Sequence, residues 1–163
     1  MIAIEKEPFT MELMAEILPL AQRCWNESTL EKGESCAFYG EREFQIEPYG
    51  EMYQELSDKG ALVLITLRVD GVLQGYVEGF TYRTMHHKKI IGALGDSIYI
   101  EPPFRSHASA LINRFESEVK GMGAGIIGWP TQEGGAVYNV LKAKGYVGDD
   151  VVMEKRICAS QQQ

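Results

Sequence analysis

Apolar residues recur along this chain at two spacings, and the switches between them divide it into elements. From Thr10 the positions Leu13, Met14, Ile17, Leu18, Ala21, Cys24 and Trp25 step by three and four residues, which is one face of an amphipathic helix capped by the Thr10 hydroxyl. Pro19 falls inside that pattern and predicts a kink, because it lacks an N–H and its ring crowds the preceding turn. Tyr49, Met52, Tyr53 and Leu56 mark a second helix over 48–59, with Pro48 near its start and Gly60 as its stop.

Strand patterns take over next. Residues 61–68 are a nearly continuous apolar strand, Asp70-Gly71 is a hairpin turn, and 72–82 run back antiparallel. A polar tip over 84–89 leads into a further strand over 90–100, which ends near Glu101 because Pro102 and Pro103 cannot donate to a sheet ladder. Ala108, Leu111, Ile112, Phe115 and Val119 then give a third helix, with its exit over 121–125 and a strand over 126–129, together a β-α-β crossover. A helix over 133–144 stopped by Gly145, and a strand or hairpin over 146–157, close the pattern. Residues 2–5 supply a first strand. Residues 26–47 mix charged residues with Phe38, Tyr39 and Phe44, and read as a long loop or short helix of the kind that often touches ligands.

The resulting order, β-α-α-β-β-β-α-β-α-β, predicts an α/β (α+β) fold: a mixed sheet with helices on both faces. With no internal repeat or linker, the 163 residues form one domain over 1–158 and a disordered tail over 159–163. A composition of 45% hydrophobic and 24% charged residues is ordinary for a globular protein. No apolar run approaches the ~20 residues of a membrane span, and the charged start of the chain does not read as a signal peptide, so a cytoplasmic protein with no membrane partner is expected. The formal charge of −7 disfavours nucleic acid and suits a cationic or amine-bearing partner. Cys24, Cys36 and Cys158 are too scattered for a disulfide frame or a zinc site, so free thiols and no metal are expected.

The stretch with most chemical content is the passage from strand to helix over 101–110. Backbone N–H groups at such a turn lack partners and sit at the positive end of the helix dipole, which makes an anion site, most often for phosphate. The Gly-x-Gly-x-Gly text over 121–125 follows a helix rather than a strand and is a C-cap, not a dinucleotide loop.

Three segments carry a resemblance over essentially the whole chain: Val69-Asp70-Gly71-Val72-Leu73-Gln74-Gly75-Tyr76, Ile98-Tyr99-Ile100-Glu101-Pro102-Pro103-Phe104-Arg105, and Leu141-Lys142-Ala143-Lys144-Gly145-Tyr146 followed by Met153-Glu154-Lys155. In their order and spacing the chain resembles the GNAT superfamily of N-acetyltransferases. His87-Lys88 with Asp96 to Ile100, and Phe115-Glu116, look most like small acetyltransferase-like proteins often encoded by bacteriophages.

The resemblance implies a mostly antiparallel sheet with a splay between strands 4 and 5, and acetyl-CoA as co-substrate. The pantetheine arm would lie along the backbone of Ile98, Tyr99 and Ile100, and the pyrophosphate on the turn formed by Arg105, Ser106, His107, Ala108, Ser109 and Ala110. That turn departs from the family's Arg-x-x-Gly-x-Gly/Ala: it is about two residues short and has no glycine. Leu141 stands where the family often has its acidic tyrosine, and Tyr138, one turn earlier on the same helix face, is the substitute. The proton of the attacking amine needs an acceptor; Asp96 is the first choice, with Glu78, His86 and His87 as alternatives. The implied function is acetyl transfer to an amine of a small molecule or protein by direct attack, with residues 31–47 helping to form the acceptor site and a homodimer compatible with it. Two rivals stay open: a catalytically degenerate protein of the same fold that binds a host protein, and an enzyme modifying a nucleobase, which the acidic charge opposes.

Overall fold

The computed structural model describes residues 1–32, 45–131 and 133–148, with the backbone alone for residues 28–32. Among the described residues five strands form one sheet in sequence order: β1 (Ile2–Lys6), β2 (Leu62–Val69), β3 (Val72–Arg83), β4 (Ile91–Ile100) and β5 (Ala124–Gly128). The first four pair antiparallel, and β5 joins β4 in parallel through the crossover helix α3 (Ala108–Gly121). Helices α1 (Met11–Lys32) and α2 (Gly50–Asp58) come before β2, and α4 (Ala136–Ala143) follows β5.

Local chemistry explains most boundaries. The Thr10 hydroxyl accepts from the Leu13 amide at 3.1 Å, as an N-cap should. Gly60, which ends α2, adopts φ +62°. Asp70 and Gly71 both take positive φ, 49° and 83°, the geometry of a two-residue turn whose twist matches the flanking strands.

Alternation along the strands sorts side chains to two faces. Val63, Ile65 and Leu67 of β2, with Val77 of β3, pack beneath Leu111, Phe115 and Val119 of α3. Their neighbours Leu64 and Tyr76 point the other way, into a cluster with Phe9, Leu13, Ile17 and Leu20 of the α1 side. Helices therefore cover both faces, as expected.

The structure departs from the sequence reading at three places. The segment from Asn26 to Lys32 is the last part of α1 rather than the beginning of a loop. Its polar residues have partners there: Gln22 donates to Asn26 one turn on at 3.0 Å, and Glu27 receives Tyr99 and Arg105 from β4 and the turn after it. Pro19 sits inside this helix without ending it. Next, α3 starts only at Ala108, because Pro102–His107 form a 3-10 turn of their own. Finally, β5 begins at Ala124, where its pairing with Ile91 starts, so the exit of α3 is shorter than the glycines suggested. The segments over 33–44 and 149–163, which include most of the expected acceptor loop, the last strand and the tail, lie outside the described residues.

Candidate active site

The site grows from an irregularity between β3 and β4. Tyr76 faces Tyr99 and Glu78 faces Ser97, but Gly79 faces Gly95, so Asp96 is an extra residue with no partner across the ladder. Both glycines are there for space. A Cβ on Gly79 would stand 2.1 Å from the Leu94 carbonyl oxygen, and one on Gly95 would stand 2.3 Å from the ring of Trp129. That ring packs against Phe115, with centroids 5.2 Å apart.

Beyond this bulge the sheet opens. The parallel pairing of β4 with β5 runs from Ile91 to Leu94 and stops there, while β4 continues to Ile100. The edge of β4 from Gly95 onward therefore parts from β5, which is the splay that the resemblance implies.

On the α1 side of the same bulge the residues 76, 78 and 97 share one face. Glu78 is 8% exposed, and its Oε1 accepts from the hydroxyl of Tyr53 on α2 at 3.0 Å. Tyr53 is held in turn by stacking on Phe9, with ring centroids 5.7 Å apart. The hydroxyls of Tyr76 and Ser97 lie 2.8 Å apart. Removal from water pushes the Glu78 carboxyl up to about 7; the Tyr53 hydrogen bond opposes that rise and the nearby negative charge of Asp96 adds to it. The same burial, with Glu78 and Asp96 close by, raises the Tyr53 phenol. Asp96 is exposed at the residue level, yet partial burial of its carboxyl raises its pKa as well.

A pocket of about 240 Å³ opens onto this group. Ile17, Ala21 and Trp25 of α1 form one wall, Phe9 and Leu64 another, and Glu78 is the one charged side chain lining it among the described residues. Among the described residues no cluster of His, Cys, Asp or Glu is suited to a metal ion, and no helix is long and apolar enough to cross a membrane.

The turn after β4 is built differently from a glycine-rich cradle. From Glu101 through Ala110 no residue has positive φ, and the amide of Ala108 already donates to the carbonyl of Arg105. Arg105 is engaged as well: its guanidinium pairs with Glu27, its Nε donates to the Ile100 carbonyl at 3.2 Å, and it lies 6.0 Å from the centre of the Tyr99 ring. Ser106, Ser109 and Ala110 are exposed, while His107 and Ala108 are half-buried at the head of α3. The side chain of Ile100 is buried on the α3 side, and that of Tyr99 is turned to α1, where its hydroxyl donates to Glu27 at 3.0 Å.

The structure thus brings Glu78 and Asp96 together at the bulge, with Ile98 to Ile100 and the turn following directly on. It leaves His87 elsewhere, exposed at the tip that joins β3 to β4; five residues of strand, roughly 17 Å, separate Glu78 from the end of β3 at Arg83. Tyr138 is half-buried on α4, where its hydroxyl accepts from Lys142 Nζ at 3.2 Å. Sequence reasoning missed Tyr53, Tyr76 and Ser97. Tyr53 carried a signal of a kind, since it lies on the apolar face of α2, but nothing in that face says that a carboxyl will meet it.

No family model matches the chain, and no curated protein matches it. Solved structures do. An aminoglycoside acetyltransferase from an uncultured soil metagenomic sample shares 13% identity at a TM-score of 0.71, over 98% of this chain and 99% of that one. The aminoglycoside acetyltransferase AAC(6')-Iy, in complex with the bisubstrate analogue CoA-S-monomethyl-acetylneamine, shares 14% at 0.67, over 97% and 99%. The ribosomal-protein-alanine N-acetyltransferase of Brucella melitensis biovar Abortus 2308 shares 15% at 0.61, over 94% and 97%. The sheet order, the parallel β4–β5 pair and these likenesses define the chain as having the GNAT acetyltransferase fold.

Proposed function

We propose that the chain is an acyl-CoA-dependent N-acyltransferase that moves acetyl from acetyl-CoA to the amine of a small molecule or protein by direct attack. The observation that carries this reading is the buried Glu78 carboxyl, hydrogen-bonded to Tyr53, on the strand beside the opened edge of β4. The fold supports it, and so does the fact that AAC(6')-Iy has been solved with CoA.

A thioester is already activated, so the protein has mainly to align a neutral amine with the carbonyl carbon and take up a proton. An aliphatic amine arrives as an ammonium ion at neutral pH. Glu78, with its pKa near 7, accepts that proton on a carboxylate oxygen. The amine nitrogen then forms its bond to the acetyl carbon, the carbon–sulfur bond breaks, and the sulfur leaves as thiolate. Tyr138 is the proposed donor to that sulfur, and the second amine proton passes to solvent. Asp96 acts on this step through its charge, which favours the protonated form of Glu78. The edge of β4 over 95–100 would hold the pantetheine arm by its amides and carbonyls. The small residues Ser106, Ser109 and Ala110 at the positive end of α3 leave room for phosphate.

One observation favours the second reading, a protein of this fold that binds a partner without catalysis. The turn lacks any left-handed residue, and Arg105 is already paired with Glu27. Thermal unfolding with acetyl-CoA separates the two. Transfer predicts stabilisation of about 2.7 kcal/mol at a hundredfold excess over the dissociation constant. No shift at millimolar acetyl-CoA overturns the transfer reading and leaves the binding protein.

A further inference from the structure

The acceptor pocket has an unusual division of labour. Its walls are hydrocarbon from Phe9, Met14, Ile17, Leu18 and Leu64, and its floor is polar, with the carboxyl of Glu78 beside the hydroxyls of Tyr53, Tyr76 and Ser97. Among the described residues no lysine or arginine lines it, and Glu78 forms no ion pair. From the transfer reading given above, we infer that the acceptor is a lipophilic monoamine, an alkyl- or arylalkylamine whose single ammonium group meets Glu78 while its hydrocarbon body fills the space under α1.

Charge fixes one end of the ligand. An ionised carboxylate in an apolar pocket needs a counter-ion or else takes up a proton, and among the described residues no cation faces Glu78, so an ammonium group from outside is a natural partner. Among the described residues the titratable groups that face Glu78 are Tyr53 of α2, Tyr76 of β3 and Asp96 of β4, with Cys24 of α1 beside Tyr76 on the pocket wall; none is a cation. Hydrocarbon fixes the other end. A polyhydroxylated or polycationic acceptor would have to shed its water against Ile17, Leu18 and Leu64, which offer no hydrogen bond in return. Size agrees: about 240 Å³ exceeds the roughly 150 Å³ hole that accepts benzene and falls short of the roughly 300–1,000 Å³ of sites for drug-sized ligands. Two of the similar structures are named for aminoglycosides, and this pocket is unlike what such acceptors require.

The test is a substrate series on the full chain with acetyl-CoA: n-propylamine, n-butylamine, n-pentylamine, n-hexylamine, phenethylamine and neamine. The expected kcat/KM rises about fourfold per methylene, equivalent to about 0.8 kcal/mol, until the pocket is filled. Neamine should lie at least a hundredfold below hexylamine. A flat alkyl series, or neamine equal to hexylamine, overturns the inference. Calorimetric titration of hexylamine without acetyl-CoA keeps the two claims apart. Binding without acetylation leaves the pocket assignment standing and removes the transfer reading. Acetylation of neamine with no binding of hexylamine does the reverse. Two variants sharpen the result. Ala21→Phe, which intrudes on the wall, should cut hexylamine binding at least tenfold more than propylamine binding, and an unchanged ratio counts against the proposal. Glu78→Gln should erase the preference for hexylamine over 1-hexanol, and a preference that survives counts against it too.

Discussion

The same three central strands present opposite characters on their two faces. Toward α3, Val63, Ile65, Val77, Leu111, Phe115 and Val119 are all fully buried and wholly apolar. Toward α1 and α2, one residue along, the buried set includes Thr66 and Glu78, with Tyr76 carrying a hydroxyl, and the packing leaves a cavity. The first face is packed hydrocarbon whose transfer from water favours folding. The second holds a carboxyl that would be better hydrated in the unfolded chain. A fold can keep such a group because alternate residues of the same strands stabilise it from the other side, and function can then occupy a face that contributes less to stability.

The comparison can be broken at either face. Glu78→Gln should leave the protein folded and lower kcat/KM by about 10²- to 10⁴-fold, the usual worth of a general base; steady-state kinetics with hexylamine would read it. Phe115→Ala, on the other face, should cost about 3–5 kcal/mol in denaturant unfolding and lower kcat/KM less than Glu78→Gln does. Equal stability losses from both substitutions would erase the distinction between the faces.

pH offers a subtler probe. The Glu78 carboxyl is raised from 4.5 to about 7 in the folded chain, so between those values the folded state holds a proton that the unfolded state has released. Its contribution to stability is therefore complete below about pH 4.5 and is lost as pH rises through 7. A shift of that size amounts to about 3 kcal/mol, and the loss should be absent from Glu78→Gln in parallel unfolding curves. Activity should move the opposite way and rise with pH through about 7, as the base loses its proton. The smallest effects concern the groups around it. Asp96→Asn should shift the pH–rate midpoint down and Tyr53→Phe should shift it up, each by less than about one unit, since the Asp96 charge raises the carboxyl pKa and the Tyr53 hydrogen bond lowers it. Shifts of the same sign would contradict the arrangement.

Much of this was legible along the chain. The helices at Leu13, at Tyr53 and at Phe115, the hairpin at Asp70-Gly71, and the splayed strand pair followed from periodicity, turn chemistry and resemblance. Asp96 and Glu78 were both candidates in the sequence, with Asp96 placed first, and the reversal of that order proposed above was not available there. It depends on a bulge that leaves Asp96 outside the ladder and exposed, while Glu78, one pair away, is carried under α2. Nor could the extent of α1 be read, because Glu27 is ordinary until Tyr99 and Arg105 reach it from more than seventy residues away.

The sequence by itself determined the order of the helices and strands seen among the described residues and the chemical types present, since these depend on neighbours within a few residues: an apolar stripe, a proline, a glycine that accepts positive φ. Tertiary structure alone decided which carboxyl lost its water and what surrounds it. That outcome belongs to contacts between α1, α2, β3 and β4, in which Tyr53 meets Glu78, Trp129 covers Gly95, and a pocket forms between surfaces that no single segment contains.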